Sequence, residues 1–152
     1  MKRLIFRLLF WVLWPLTWFY APLRVRPRVL VVAGNSCLVV QPYFGGGKWQ
    51  LPGGGVHFNE TYKQAARREL FEEVCIHVDS ITKLLPLAVY KEYGLLLRYP
   101  IYVARIDSQL STTLSHELLA SQWVSLTSTD SRQLLPHARQ AIRAYHQAHL
   151  LQ

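Results

Sequence analysis

Cysteine is scarce in this chain, with two among 152 residues, Cys37 and Cys75. Two cysteines provide neither a disulfide framework nor a zinc-binding pattern, which excludes the disulfide-rich secreted class and the zinc-finger class. They fit a reducing compartment. Charged residues make up only 17% of the chain, whereas hydrophobic residues make up 51%. This balance excludes a disordered chain, and the length predicts one domain with a buried core.

Acidic residues are also few, and none occurs in the first 28 positions. The chain has nine Asp and Glu residues against 17 Lys and Arg, and six of the basic residues lie within residues 1–28. The remaining 11 basic residues nearly balance the nine acidic ones. A nucleic-acid-binding face needs clustered basic residues, and the chain after residue 28 has no such cluster. We therefore expect no nucleic-acid partner.

One long apolar stretch, residues 4–23, stands at the N-terminus, with Arg7 as its only charged residue. A spanning helix needs about 20 apolar residues. The aromatic residues along the stretch favour the headgroup region of a bilayer, and the basic residues around it attract anionic lipid. The stretch predicts a hydrophobic helix, either transmembrane or lying at the interface, that contacts membrane lipid. A cleaved signal peptide and a helix packed on a soluble domain are the alternatives.

These observations divide the chain into two parts. Residues 1–27 are predicted to form a hydrophobic, membrane-associated segment, and residues 28–152 a separate folded domain. The protein is accordingly expected to be membrane-associated, with that domain in the cytoplasm.

The folded domain alternates short apolar runs with two helical patterns. Helices are predicted from Thr61 to Val74, where Thr61 and Gln64 form a capping box, and from Leu135 to Leu150. Strands are predicted at Val29–Ala33, Cys37–Gln41, Ile81–Tyr90, Leu95–Ile106 and Gln122–Leu126, with shorter extended pieces at Lys48–Leu51 and Val56–Phe58. The order of elements predicts an α/β fold of the mixed α+β type, with helices packed on the faces of a mixed sheet.

Four of the nine carboxylates fall within 14 residues, Glu60 to Glu73. Glu69, Glu72 and Glu73 stand at i, i+3 and i+4, so they share one helical face. Such crowding is electrostatically unfavourable unless a cation joins it. Hard divalent cations prefer carboxylate oxygens, and the pattern therefore predicts a divalent-metal site.

The same region carries a spaced pattern: Gly54, five residues, Glu60, seven residues, Arg68-Glu69-Leu70, one residue, Glu72-Glu73, one residue, Cys75-Ile76. This pattern resembles the Nudix box of the Nudix hydrolases. The resemblance extends to Trp49-x-Leu51-Pro52-Gly53-Gly54 before the box and to Trp123-Val124-Ser125-Leu126 before the last helix. It implies a Nudix-like α/β/α sandwich.

The resemblance also implies roles for individual residues. The metal set that it implies consists of Glu69, Glu72 and Glu73, with the Gly53 carbonyl as an additional ligand and Glu60 as a supporting carboxylate. The metal is Mg²⁺, with Mn²⁺ as an alternative. Arg68 resembles the arginine that orients Glu69 by an ion pair. The general base is either Glu69 or a carboxylate in a later loop, for which Glu117 is the candidate; Glu92 and Asp107 are weaker candidates.

Cys75 departs from the family pattern, which usually has glycine there. A glycine just after a helix end commonly adopts a positive φ. Cysteine would cost about 1 kcal/mol in that conformation, or it would end the helix differently. No predicted ligand is lost by the change, so we expect activity to survive.

These inferences predict a Mg²⁺-dependent, membrane-tethered hydrolase of a diphosphate linkage in a nucleoside diphosphate linked to another moiety. Its partner is a small-molecule diphosphate. The alternative is a non-catalytic Nudix module that binds a nucleotide-like ligand at the membrane. A diphosphatase of RNA ends would require a basic groove, and the near-neutral domain argues against it.

Overall fold

The computed structural model describes residues 25–44, 46–92, 94–127 and 133–150. Its strands are β1 (Arg28–Ala33), β2 (Ser36–Pro42), β3 (Thr82–Glu92), β4 (Leu95–Ile106) and β5 (Leu118–Ser125), and its helices are α1 (Tyr62–Val74) and α2 (Pro136–Leu150). The five strands form one sheet in the order β3-β4-β1-β2-β5. Strands β1 and β4 are parallel, whereas the other neighbours are antiparallel. The predicted mixed sheet is confirmed.

The sheet has a hydrophobic core on each face, because β1 is buried along its whole length. Alternate residues of a strand point to opposite faces. One core packs Val29 and Val31 of β1 against Leu70 of α1. The other packs Leu30 and Val32 against α2 residues that include Ile142. The two helices therefore cover opposite faces, which is the predicted α/β/α arrangement.

Helix α1 begins and ends as its sequence predicts. Thr61 caps it: its hydroxyl accepts a hydrogen bond from the Gln64 backbone N–H at 3.2 Å, and the Gln64 side chain accepts from the Thr61 N–H at 2.9 Å. Cys75 follows the helix with φ 59° and ψ 29°, and its N–H donates to the Phe71 carbonyl at 2.8 Å. The helix therefore ends in the left-handed conformation that a glycine would adopt, and cysteine occupies it with strain.

The strain at Cys75 predicts that Cys75→Gly stabilises the protein. The gain should be about 1 kcal/mol in the free energy of unfolding, because a left-handed conformation costs an L-residue with a Cβ about that much. Urea unfolding of both proteins measures it. Asn59 has a similar φ of 62°, but asparagine tolerates this region. Asn59→Gly is therefore the matched control and should gain less. Equal gains at both positions would contradict the account.

Three short elements differ from the prediction. Strand β5 begins at Leu118, earlier than the predicted Gln122, because the whole of β2 pairs with it. Its first half reads Leu-Leu-Ala-Ser, which has no apolar–polar alternation, so the pattern does not reveal it. Val56–Phe58 forms no strand. Lys48–Leu51 contributes only isolated bridges, from Trp49 to Leu134 and from Gln50 to Val40.

The predicted membrane-associated location is contradicted. The hydrophobic helix predicted within residues 4–23 lies outside the residues that the structure describes. Within the described ranges, no helix is long and apolar enough to cross a membrane. Helices α1 and α2 have 13 and 15 residues, which gives lengths of about 20 Å and 22 Å, against a hydrocarbon layer of about 30 Å.

A buried polar network crosses the core beneath α2. The Glu92 and His137 side chains are fully buried, and the Glu92 Oε1 to His137 Nδ1 distance is 2.8 Å. Tyr99 Oη donates to Glu92 Oε2 at 2.8 Å. The Leu51 backbone N–H donates to His137 Nε2 at 3.4 Å. This last bond requires an unprotonated Nε2, so the proton of the neutral ring lies on Nδ1, facing Glu92.

This network predicts that acid destabilises the fold. Burial lowers the pKa of His137 from its ordinary 6.5, although Glu92 partly offsets the effect. Burial alone would raise the pKa of Glu92, but hydrogen bonds from His137 and Tyr99 outweigh it, so that pKa is also lowered. Tyr90 and Arg28 are the other titratable groups facing the ring. At acidic pH, Glu92 and His137 bind fewer protons in the folded state than in the unfolded state, because their pKa values are lowered by folding. The free energy of unfolding therefore decreases as the pH is lowered, beginning below about pH 6.5.

Thermal or urea unfolding between pH 7.5 and 5 tests this prediction. His137→Gln should show a flatter profile than wild type, by up to about 1.4 kcal/mol per pH unit. The exposed His77 provides the control, and His77→Gln should keep the wild-type slope. The raised pKa of Glu73 acts in the opposite direction, but it is common to all three proteins. Parallel profiles for wild type and His137→Gln would contradict the prediction.

Candidate active site

Arg68 forms ion pairs with most of the clustered carboxylates. Its Nε and Nη2 donate to the two carboxylate oxygens of Glu60, each at 2.9 Å. Its Nη1 donates to Glu69 and to Glu72, each at 2.8 Å. Nη2 also reaches the Gly55 carbonyl at 2.9 Å. A single guanidinium therefore joins three of the predicted carboxylates to the glycine loop.

The charge of Arg68 acts most strongly on Glu60. Its hydrogen bond lowers the pKa of Glu60 from 4.5 to about 2, and the His57 backbone N–H adds to the effect. Glu60 is therefore ionised throughout the neutral range. Its contacts fit the supporting role that was predicted, since both of its oxygens are taken up by Arg68.

Glu73 differs from the other carboxylates because it is buried. Its Oε2 accepts a hydrogen bond from the Gly53 N–H at 2.8 Å. Burial raises the pKa of Glu73 to about 7, against the attraction of Arg28 and the Gly53 hydrogen bond; the charges of Glu69 and Glu117 raise it further. The carboxylates of Glu69 and Glu117 therefore each lie within electrostatic reach of Glu73.

The glycine loop fits closely around these side chains. A Cβ at Gly54 would overlap the Glu69 carboxylate, and a Cβ at Gly53 would overlap the Pro27 carbonyl. Gly53 has a φ of 136°, a conformation that only glycine adopts readily. The loop backbone can therefore approach both the acidic helix and β1.

The loop before β5 brings Glu117 to this site. The Thr113 N–H donates to the Val74 carbonyl at 3.2 Å, and the Ser115 N–H donates to the Glu73 carbonyl at 3.0 Å. These bonds satisfy carbonyls at the end of α1. Glu117 is exposed, so water can reach its carboxylate. Of the two weaker candidates, Glu92 is buried against His137, which removes it from solvent, whereas Asp107 is exposed directly after β4.

Sequence reasoning missed one charged residue of the site. Arg28 was counted with the basic N-terminal residues, but it is buried at the start of β1. Its Nη1 donates to the Leu51 carbonyl at 3.0 Å and also to the Gly53 carbonyl. One sequence signal could have identified it: Arg28 directly precedes an apolar run whose composition is typical of a buried central strand.

The residues fit a divalent cation by their chemistry rather than as a preformed cage. Among the described residues, no three His, Cys, Asp or Glu side chains are close enough to hold an ion as they stand. Glu60 and Glu72 are bonded to Arg68, and Glu73 is bonded to Gly53. However, burial and neighbouring negative charges raise the pKa of Glu73, and a cation would relieve both effects. Side-chain rotation would be needed to gather the ligands.

Comparison with protein families decides the assignment. A model of the NUDIX domain matches residues 22–147, which is most of the chain. The chain belongs to the Nudix family. The spaced pattern of Gly54 to Ile76 is therefore a Nudix box, and Cys75 is its one departure from the family pattern among the residues singled out above.

Individual relatives match part of this Nudix chain. It is 32% identical over 83 residues to an oxidized purine nucleoside triphosphate hydrolase of Danio rerio, covering 55% of the chain and 53% of that protein. It is 38% identical over 86 residues to an RNA pyrophosphohydrolase of Pasteurella multocida, covering 55% of the chain and 41% of that protein. The aligned part is thus about half, or less, of the relatives' own length. These names describe enzymes that act on nucleotides and on RNA.

Solved structures share the Nudix fold. The dihydroneopterin triphosphate pyrophosphohydrolase of E. coli superposes with a TM-score of 0.72 at 21% identity, over 80% of this chain and 93% of that one. The NUDIX domain of NrtR from Shewanella oneidensis, solved with ADP ribose, superposes with a TM-score of 0.71 at 18% identity, over 82% and 86%. At these identities the similarity establishes the fold.

The contact between Gly54 and Glu69 predicts that Gly54→Ala disables this Nudix site. The added methyl group would displace the Glu69 carboxylate, and a displacement of about 1 Å at a catalytic group can cost about 10²-fold in rate. Turnover of a nucleotide substrate and Mn²⁺ titration would both measure the loss. Gly55→Ala is the matched control, because a Cβ there meets nothing within 4 Å. Equal effects of the two substitutions would contradict the prediction.

Proposed function

We propose that this chain is a Mg²⁺-dependent pyrophosphohydrolase that cleaves the diphosphate linkage of a nucleoside diphosphate joined to another moiety. The observation that carries the proposal is the placement of Glu69 and Glu73 on α1 against the loop Gly53–Gly54, in a chain of the Nudix family. The loop that carries Glu117 is bonded to the end of the same helix. Mn²⁺ is the alternative metal.

The protein side of the reaction follows from these contacts. A bound divalent cation would neutralise the diphosphate and lower the pKa of a water molecule. Glu69 and Glu73 would hold it, with Glu72 as a further ligand. The Gly53 carbonyl, which accepts one hydrogen bond from Arg28, would contribute through its second lone pair. Glu117, exposed at the same site, would accept the proton of the attacking water. Arg68 keeps the carboxylates of Glu69 and Glu72 in place on α1.

We take further support for the substrate class from a cavity at the β2–β5 edge of the sheet. The cavity has a volume of about 320 Å³ and is lined by Val39, Trp49, Gln122, Trp123, Val124, Ser125, Gln133 and Leu134. Indole and side-chain amide groups suit a planar heterocycle. Trp49, which lines the cavity, precedes Gly53 by four residues. A nucleobase bound against Trp49 would therefore contact the same chain segment that continues into the acidic site.

A second candidate substrate is the 5′ end of RNA. Several relatives, including those of Pasteurella multocida and Acinetobacter baylyi, are named RNA pyrophosphohydrolases. The near-neutral composition after residue 28 argues for a small molecule, because phosphate contacts dominate RNA affinity. Both candidate substrates would be hydrolysed by the same acidic residues. They differ in the part of the substrate beyond the diphosphate, which is a small moiety in one case and an RNA chain in the other.

A substrate panel with Mg²⁺ tests the proposal. The panel contains nucleoside triphosphates, nucleotide sugars, dinucleotides, ADP-ribose and a 5′-triphosphorylated RNA. We expect phosphate or mononucleotide release from a small-molecule member, and Glu73→Gln should reduce kcat/KM by about 10²-fold. Glu117→Gln should lower kcat by about 10²-fold or more, since it removes the proton acceptor.

Asp79→Asn is the control, because Asp79 is an exposed carboxylate with no place in the site, and it should leave the rate unchanged. Background release by wild type and Glu73→Gln alike, together with tight nucleotide binding, would instead favour a non-catalytic binding module. Release from RNA alone would favour the second candidate.

A further inference from the structure

The loop that enters the acidic site is held by β1 from behind. The Val29 N–H donates to the Pro52 carbonyl at 2.9 Å. Arg28 Nη1 donates to the carbonyls on either side of it, Leu51 at 3.0 Å and Gly53. All three consecutive carbonyls of the segment Leu51–Gly53 are therefore bonded to two neighbouring residues of one central strand.

Arg28 is itself held by a chain of buried groups. Its guanidinium lies 5.2 Å from the centre of the Tyr99 ring. The Tyr99 hydroxyl donates to Glu92, and Glu92 accepts from His137. The chain of contacts returns to its start, because His137 Nε2 accepts the N–H of Leu51. Leu51 is thus bonded at its carbonyl by Arg28 and at its N–H by His137.

This arrangement is costly if its only purpose is stability. Arg28, Glu92 and His137 are all buried, and Arg28 Nε has no hydrogen-bond partner within the described part of the chain. Buried charged groups rarely stabilise a fold more than apolar side chains of similar size. The groups are, however, well arranged to fix one backbone segment in one position.

The segment so fixed contacts the acidic site directly. Gly53 follows Leu51 by two residues, and its N–H donates to Glu73 Oε2 at 2.8 Å. Its close packing against Pro27 and Arg28 leaves no room for a side chain. A shift of Leu51 would therefore move the group that orients Glu73.

We propose that Arg28, Tyr99, Glu92 and His137 are positioning residues that set the Leu51–Gly53 segment, and through it the affinity of the acidic site for a divalent cation. This inference rests on the proposed function for the role of the site. The His137 bond to Leu51 is its most testable link, because two substitutions separate the two ring nitrogens.

Asparagine at position 137 places an amide nitrogen near Nδ1, so His137→Asn keeps a donor for Glu92 and loses the acceptor for Leu51. Glutamine places its terminal oxygen near Nε2, so His137→Gln keeps the acceptor and loses the donor. Both substitutions leave a smaller polar side chain in the same buried position and disturb packing similarly. They form a matched pair.

Calorimetric titration of the full chain with Mn²⁺ alone, without substrate, is the first readout. His137→Asn should raise the Kd for Mn²⁺ by about tenfold, the size of effect usual for groups that orient metal ligands. His137→Gln should stay within about twofold of wild type. Amide hydrogen exchange without metal is the second readout, and the Leu51 and Gly53 amides should exchange about tenfold faster in His137→Asn than in His137→Gln.

A purely structural network predicts something else: both variants lose stability, while Mn²⁺ affinity and loop exchange in the folded protein change equally. That result, or wild-type values for His137→Asn, would overturn the inference. If wild type takes up no Mn²⁺, the proposed function fails, and the exchange data alone decide the positioning role. Should His137→Asn not fold, Arg28→Lys serves instead, since it keeps a buried positive charge but loses the guanidinium that bonds the Leu51 and Gly53 carbonyls. It should raise the Kd for Mn²⁺ by a similar factor, and a wild-type Kd would overturn the inference.

Discussion

Repulsion among carboxylates is the constraint on which the rest of this structure depends. Glu60, Glu69, Glu72 and Glu73 lie along or beside one helix, and the fold must oppose their mutual repulsion before any ligand arrives. Arg68 neutralises Glu60, Glu69 and Glu72 through several hydrogen bonds at once. Glu73, inside the protein, receives a backbone N–H and the more distant charge of Arg28. Of the four carboxylates, Glu73 is therefore the one whose negative charge is least compensated by the protein.

Much of the fold could be predicted from sequence because its elements are locally encoded. The capping box at Thr61 begins α1, and apolar residues at helical spacing continue it to Val74. Strand β1 reads as a short apolar run because both of its faces are covered. Strand β5 was less visible, since an edge strand half-exposed to solvent needs no regular alternation.

The site was only partly predictable. Helical spacing correctly placed Glu69, Glu72 and Glu73 on one helix, because that relation depends on three to four residues of chain. It could not indicate that Arg28 and His137, far apart in sequence, would meet at Leu51. Such contacts depend on strand order and on helix packing across the sheet. The membrane-associated location predicted from residues 4–23 was wrong for a related reason, because the hydrophobicity of a segment alone does not specify where a protein is located.

The hydrogen bonds from Thr113 and Ser115 to the last turn of α1 have an evolutionary consequence. The loop that carries Glu117 also donates hydrogen bonds to the last carbonyls of α1. A change in the length of this loop would therefore alter both the position of Glu117 and the end of the helix that carries the acidic residues. Insertions that would widen substrate choice in this segment are therefore epistatic with the helix terminus.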